Sequence, residues 1–160
     1  MAQARQPAFY ANAAVPDTVD GRFDMIVLHF CLLILRFNKD GSEDAKKFGQ
    51  GVFDEMFMDM DHSLREMGVG DLSVGKKIKK MARVFYGRAT AYEKAFSGEE
   101  DAEANLAEMI RRNFFDGAEN GQGAENIARY CVAVAKQLEK QSVGDIRSGK
   151  IEFPAAGEFV

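Results

Sequence analysis

The sequence predicts an all-α fold: an irregular bundle of about five to six helices, with no sheet. Three observations lead there. Apolar residues recur at i, i+3, i+4 and i+7 through most of the chain, the spacing of one buried helix face. The three prolines, Pro7, Pro16 and Pro154, all lie near the ends, so no proline interrupts a helix in the middle. No stretch alternates apolar and polar residues as a half-buried strand does. With 160 residues and 46% hydrophobic composition, the chain has the size and apolar content of one domain with a full core.

Each element has its own local signal. Residues 1–16 carry two prolines and are the least regular; they read as an N-terminal segment, a shortened first helix. Asp17 or Thr18 can cap a helix running to about Phe37. Its run from Met25 to Leu35 is apolar except for His29, so this helix is expected at the centre of the bundle. Asn38, Asp40 and Gly41 mark a turn. Ser42 caps the next helix, whose first turn holds Glu43 and Asp44 where the helix dipole favours negative charge. Its apolar stripe is Phe53, Met56, Phe57, Met60, Leu64 and Met67, and Gly68 stands where a left-handed residue ends a helix.

After the short connector from Gly68 to Leu72, Ser73 is expected to cap a helix reaching about Phe96. Its stripe is Val74, Ile78, Met81, Phe85, Ala89, Tyr92 and Phe96. Glu99, Glu100 and Asp101 open a further helix that Arg111 and Arg112 close. Gly117, Gly121 and Gly123 read as a loop. A last helix carries Ile127, Cys131, Val134 and Leu138 on one face. Residues 17–141 thus form the helical domain. Residues 142–160 read as an extended tail, with Ile151 and Phe153 able to pack back.

Composition narrows the function. A net charge of -4 and a pI near 5.3 argue against general nucleic-acid affinity but not against a local basic contact. The two cysteines, Cys31 and Cys131, lie in apolar helical patterns without metal-ligand spacing, and read as reduced core thiols in a cytosol-like compartment. No signal peptide opens the sequence, and no apolar run approaches the roughly 20 residues that span a bilayer.

Three sharp readings fail on their own terms. Gly70 to Lys77, GDLSVGKK, nearly matches a phosphate-binding loop, but Lys77 replaces the magnesium-binding hydroxyl and a helix rather than a strand precedes it. Glu55, Asp59, His62 and Glu66 share one helix face, as carboxylate–histidine metal sites require. At roughly 100° per residue, however, that face lies opposite the apolar stripe and should meet water. His29, within an apolar helix, reads as a hydrogen-bonded core histidine; nothing orients it with His62 to hold a haem. No serine or cysteine is spaced with a base for nucleophilic catalysis. The sequence therefore carries no catalytic residue, metal ligand or cofactor site that these patterns support.

The helix after Gly70 is different. From Leu72 to Tyr92 there is no acidic residue, while Lys76, Lys77, Lys79, Lys80, Arg83 and Arg88 are all positive. A solvated helix back normally mixes charge signs, because like charges at helical spacing repel. Lys76, Lys80, Arg83 and Lys94 project opposite the apolar stripe, with Lys79 and Tyr86 flanking. An acidic protein, ribosomal RNA or an anionic lipid surface would each suit such a face. A ribosome- or nucleic-acid-surface module, without sequence-specific recognition, is thus one reading. A metal-dependent helical enzyme using Asp59 and His62 is another.

The segment Phe53 to Arg88, with its core LREMGVGDLSVGKKIKKMARVFYGR, resembles the ubiquinol–cytochrome c chaperone family. So do DGRFDMIVLHFCLLILRF and the preceding QPAFYANAAVPDTVDGRF, and the similarity covers roughly Gln6 to Phe96. The resemblance implies a helical, non-enzymatic assembly factor that binds newly made cytochrome b for respiratory complex III. It implies work near the ribosomal exit region and the inner-membrane surface, with a small partner protein in mitochondrial members. Without a transit peptide the chain reads as a bacterial, cytoplasmic member. Met58 lies off the buried stripe, and Val69 and Leu72 lie in the connector. These three and Tyr86 are the candidate client contacts, since methionine gives an adaptable apolar surface. Lys76, Lys79, Lys80, Arg83 and Arg88 form the candidate basic docking face.

Overall fold

The computed structural model describes residues 2–97, 102–115 and 121–160, and every regular element among them is helical. Two short 3-10 turns, Gln3–Arg5 and Ala156–Glu158, lie near the ends. Between them run α1 (Pro7–Ala11), α2 (Val19–Asp40), α3 (Glu43–Glu66), α4 (Asp71–Ser97), α5 (Ala102–Phe114), α6 (Gly121–Glu139) and α7 (Val143–Arg147).

Helix α2 is the axis of the bundle, as its all-round hydrophobicity requires. It packs against α3, α4, α5, α6 and the first 3-10 turn. Met25, Val27, Leu28, Cys31, Leu32 and Phe37 are all buried, and a fully buried apolar side chain of this size contributes roughly 1.5–3 kcal/mol. Thr18 caps it by accepting from the Gly21 amide at 3.1 Å. Glycine is required at 21, because an added Cβ would stand 2.0 Å from the Pro16 carbonyl oxygen. At the other end Gly41 takes the left-handed conformation, φ 73°, and its amide returns to the Phe37 carbonyl.

Local signals set the neighbouring helices too. Ser42 accepts from the Ala45 amide at 3.2 Å and opens α3. Gly68, φ 80°, ends the turn after α3. Ile127, Cys131, Val134 and Leu138 of α6 are fully buried on the expected face.

Four expectations need correction. Helix α4 begins at Asp71, so Ser73 lies in its first turn and is not the cap. Gly121 and Gly123 belong to the first turn of α6 rather than to a loop, and Gly123 is buried there. Residues 142–160 are not simply extended. Ser142 caps the short helix α7 through the Asp145 amide at 3.0 Å, a capping signal masked by the surrounding glycines. Met67 leaves the buried stripe and is 57% exposed, because α3 stops at Glu66 and the chain turns away. Glu99, Glu100, Asp101 and Gly117 lie outside the described residues.

Both chain ends close over α2 and α6. Phe9, Phe153 and Phe159 pack around His29 and Tyr130 with ring centroids 5.0–5.9 Å apart. Gln3 Nε2 donates to the Tyr130 hydroxyl at 2.9 Å and to the Pro154 carbonyl at 3.1 Å. Further along the same two helices Arg36 donates to the carbonyls of Leu138 and Gln141 at 2.9 and 3.0 Å, capping the end of α6 from α2.

Candidate interaction surface

Helices α3 and α4 form an antiparallel hairpin around the Gly68–Gly70 turn. Phe53 and Phe57 of α3 meet Phe85 of α4 with centroids 5.2 and 6.1 Å apart, and Phe53 also meets Tyr86 at 5.4 Å. Arg65 fixes the turn. It binds Asp61 at 2.6 Å within α3 and reaches across to Asp71 at the start of α4.

The candidate apolar contacts lie on this hairpin. Met58 is 65% exposed, Tyr86 58% and Leu72 92%. These are large values for apolar side chains in a chain with enough helix to cover them. Val69 is half-buried and its amide is held by the Leu64 carbonyl at 3.1 Å, so its role in the turn is partly structural. Met67, counted among core residues by its spacing, joins the exposed group instead.

The basic face is present but smaller than its sequence suggests. Lys76, Lys77, Lys79, Lys80 and Arg83 are exposed, and none of them makes an ion pair or side-chain hydrogen bond with the described residues. Arg88 does not belong with them. Its guanidinium turns inward to Asp24 of α2, with side-chain exposures of 15% and 12% for the pair. Tyr86 and Gly87 beside it are still exposed, but Arg88 sits on the side of α4 that turns toward α2, and its cation joins two helices.

The rejected motifs resolve physically. In the near-phosphate loop the amides of Ser73 and Val74 donate to the Gly70 carbonyl at 2.8 and 3.2 Å. They start α4 and do not converge on a ligand. Glu55, Asp59, His62 and Glu66 are all exposed on α3, and His62 Nε2 sits 3.1 Å from Glu66 Oε1. That face is solvated, as its angular position predicts.

His29 is the core histidine of the sequence reading, and the structure supplies its partners. Nδ1 lies 2.8 Å from the Met25 carbonyl, which can only accept, so Nδ1 carries the proton. Nε2 then accepts from the Tyr130 hydroxyl at 2.8 Å, and Gln3 donates to that hydroxyl in turn. Burial lowers the imidazole to about 4 against the opposing pull of the Met25 carbonyl, so the ring is neutral at physiological pH. Burial also raises the Tyr130 phenol, the Cys31 thiol to about 12, and the Cys131 thiol further. Neither cysteine is a nucleophile in this state.

Sequence reasoning missed one buried group. The Tyr92 hydroxyl is fully buried and makes no hydrogen bond among the described residues. It lies in the field of Cys31, Cys131 and the Asp24–Arg88 pair, and burial raises it strongly. An open groove of about 410 Å³ lies between the ends of α2, α4 and α6; of its charged residues Lys39 binds Glu139 at 2.6 Å and Arg36 caps α6, which leaves Glu93 on its wall.

Comparison with known proteins agrees with the hairpin and with the bundle. The mitochondrial protein CBP3 of Saccharomyces cerevisiae is 26% identical over 153 residues, covering 93% of this chain and 45% of CBP3. This chain therefore spans about half the length of that relative. The crystal structure of the Cbp3 homolog from Brucella abortus superposes with a TM-score of 0.86 at 36% identity, over 99% of this chain and 86% of the other. The ubiquinol-cytochrome C chaperone family model matches residues 11–153. A match of that extent covers every helix from α2 to α7, and the chain belongs to the ubiquinol-cytochrome C chaperone family.

Proposed function

We propose that this chain is a non-enzymatic assembly chaperone that holds newly made cytochrome b during biogenesis of respiratory complex III. One observation carries the reading beyond the family. Met58, Leu72 and Tyr86 stay exposed on a hairpin whose lysines from Lys76 to Lys80 make no ion pair among the described residues, all within the stretch that the family model matches. A client with membrane-destined helices offers long apolar surfaces, and a flexible methionine and a half-anchored tyrosine can adapt to them. Val69 borders the same patch. Lys76, Lys79, Lys80 and Arg83 would hold the complex at a negatively charged surface, at the ribosomal exit region or the inner membrane of a bacterial cell. No cofactor is needed for such binding.

Site-directed photo-crosslinking in cells tests this. Crosslinkers at Met58, Val69, Leu72 and Tyr86 should capture cytochrome b, while one at the solvated Glu55 should not. Capture at none of the four, together with normal complex III in a deletion strain, rejects the proposal. A ribosome-surface role alone would give ribosomal adducts at Lys80 without client at Met58.

A further inference from the structure

The turn between α3 and α4 combines three features. Its apex is apolar: Leu72 is 92% exposed and Met67 57% exposed. Of the acids near the apex, Asp61 and Asp71 share one cation, Arg65, and Glu66 lies beside His62, so the apex acids are partly offset and outnumbered by the lysines behind them. Behind the apex stand Lys76, Lys77, Lys79 and Lys80, exposed and without ion pairs among the described residues. We infer that this turn is a membrane-docking tip: Met67 and Leu72 enter the headgroup region of an anionic bilayer while the lysine collar meets its phosphates.

The chemistry favours lipid over nucleic acid. A single-stranded nucleic-acid surface is read with stacking aromatics, and the only exposed aromatic on the hairpin face, Tyr86, lies about 21 Å along α4 from Leu72 at 1.5 Å per residue. An aliphatic and a thioether side chain at an apex contribute nothing to phosphate recognition. Between lipid headgroups they bury apolar area. Neither the apex nor the collar spans anything, and no helix among the described residues is long and apolar enough to cross a membrane. The contact is interfacial.

Geometry also grades the charges. Lys76 lies about 6 Å and Lys80 about 12 Å from Leu72 along the helix axis, whereas Arg83 lies about 17 Å away. Screening at physiological salt has a length of about 8 Å. The collar near the apex should therefore dominate. Met58, about 14 Å back from Met67 along α3, stays clear of the lipid and free for client. The inference deepens the chaperone proposal by naming the surface at which its basic face docks. Leu72 meets lipid first and a membrane-destined client second.

Vesicle co-sedimentation of the purified chain tests this. Binding is expected to vesicles of phosphatidylcholine mixed with phosphatidylglycerol, and not to phosphatidylcholine alone. Lys76→Glu with Lys77→Glu, both within about 8 Å of Leu72 along the axis, should weaken it by about 25-fold or more, taking about fivefold per cation near the surface. Arg83→Glu should weaken it less. Leu72→Asp should weaken it by about 10-fold. Because Cys31 and Cys131 are buried, Leu72→Cys can be labelled selectively with an environment-sensitive dye, whose emission should shift to the blue on the anionic vesicles. Equal binding to neutral vesicles, no binding, a bound state without that shift, or Arg83→Glu as severe as the lysine pair would each overturn it. So would ribosomal RNA outcompeting the anionic vesicles with Leu72→Asp having no effect. The vesicles contain no client, so failure here leaves the crosslinking result standing, and the reverse.

Discussion

Acid should destabilise this protein through one histidine, and the size of the effect can be worked from the core. His29 is neutral in the fold, lowered to about 4 by burial; in the unfolded chain it returns to about 6.5. The folded value is below the unfolded one for a base, so the unfolded state takes up the proton first as pH falls. Above about pH 6.5 neither state is protonated and His29 contributes no pH dependence. Below that, stability falls until the folded value is reached. The gap of about 2.5 pH units, at about 1.36 kcal/mol per unit, gives a total loss of about 3 kcal/mol, of which about 2 kcal/mol is reached by pH 5. Against a typical domain stability of about 5–15 kcal/mol this is a large fraction. The assay is urea unfolding followed by far-ultraviolet circular dichroism between pH 7.5 and pH 4.5, on the wild type and His29→Gln. Glutamine keeps an acceptor in reach of the Tyr130 hydroxyl and removes the titration. The variant should lose about 1–2 kcal/mol at neutral pH and close that deficit as pH falls to about 5. Parallel stability profiles would refute the neutral, doubly bonded imidazole.

Other outcomes follow from the same contacts. Arg88→Ala should cost about 1–3 kcal/mol in chemical unfolding, because it removes a cationic partner from the partly buried Asp24 carboxylate, while Arg88→Met with Asp24→Asn should recover much of that. Lys80→Ala, on the exposed face, should change stability by less than about 0.5 kcal/mol. Gly21→Ala should destabilise by about 1–3 kcal/mol through its clash with the Pro16 carbonyl, whereas Gly51→Ala, in open space on α3, should stabilise by about 0.5–1 kcal/mol in thermal unfolding. Iodoacetamide at mild alkaline pH should modify Cys31 and Cys131 only after urea is added, read by intact mass, since burial keeps both thiols protonated.

The helical frame was legible because its signals are local. Thr18, Ser42 and Gly68 mark helix ends within three or four residues of the groups they satisfy. The all-round apolar character of α2 foretold its central place. What the sequence hid are contacts between distant positions. Nothing near His29 announces Tyr130, and nothing near Arg88 announces Asp24, so a cation counted with the basic face is a partly buried link between α4 and α2. Met67 obeys the apolar period yet is exposed, because periodicity states which side of a helix a residue is on but not whether another helix still covers that turn. Gly121 and Gly123 show the converse: residues favoured in loops lie in the first turn of α6, where packing on α5 outweighs their weak local preference. On the candidate surface, spacing put Met58 off the buried stripe and Tyr86 beside the basic face, whereas Leu72, expected in the connector, lies in the first turn of α4. That the lysines make no ion pair among the described residues depends on where acids distant in sequence are folded.

The closure of both chain ends over α2 has a consequence for synthesis. The α3–α4 hairpin joins neighbours in sequence and can form as soon as it emerges, at little loop-closure cost. The partner of His29 is 101 residues further on, and the Gln3–Pro154 link spans 151 positions. While the chain is being made, its most apolar helix therefore waits, uncovered on one side, for α6 to arrive. The clasp at the ends can set only when almost the whole chain is free. A protein proposed to shelter an unfinished partner thus has long-range contacts of its own that only late-made residues can complete, while its hairpin needs none of them.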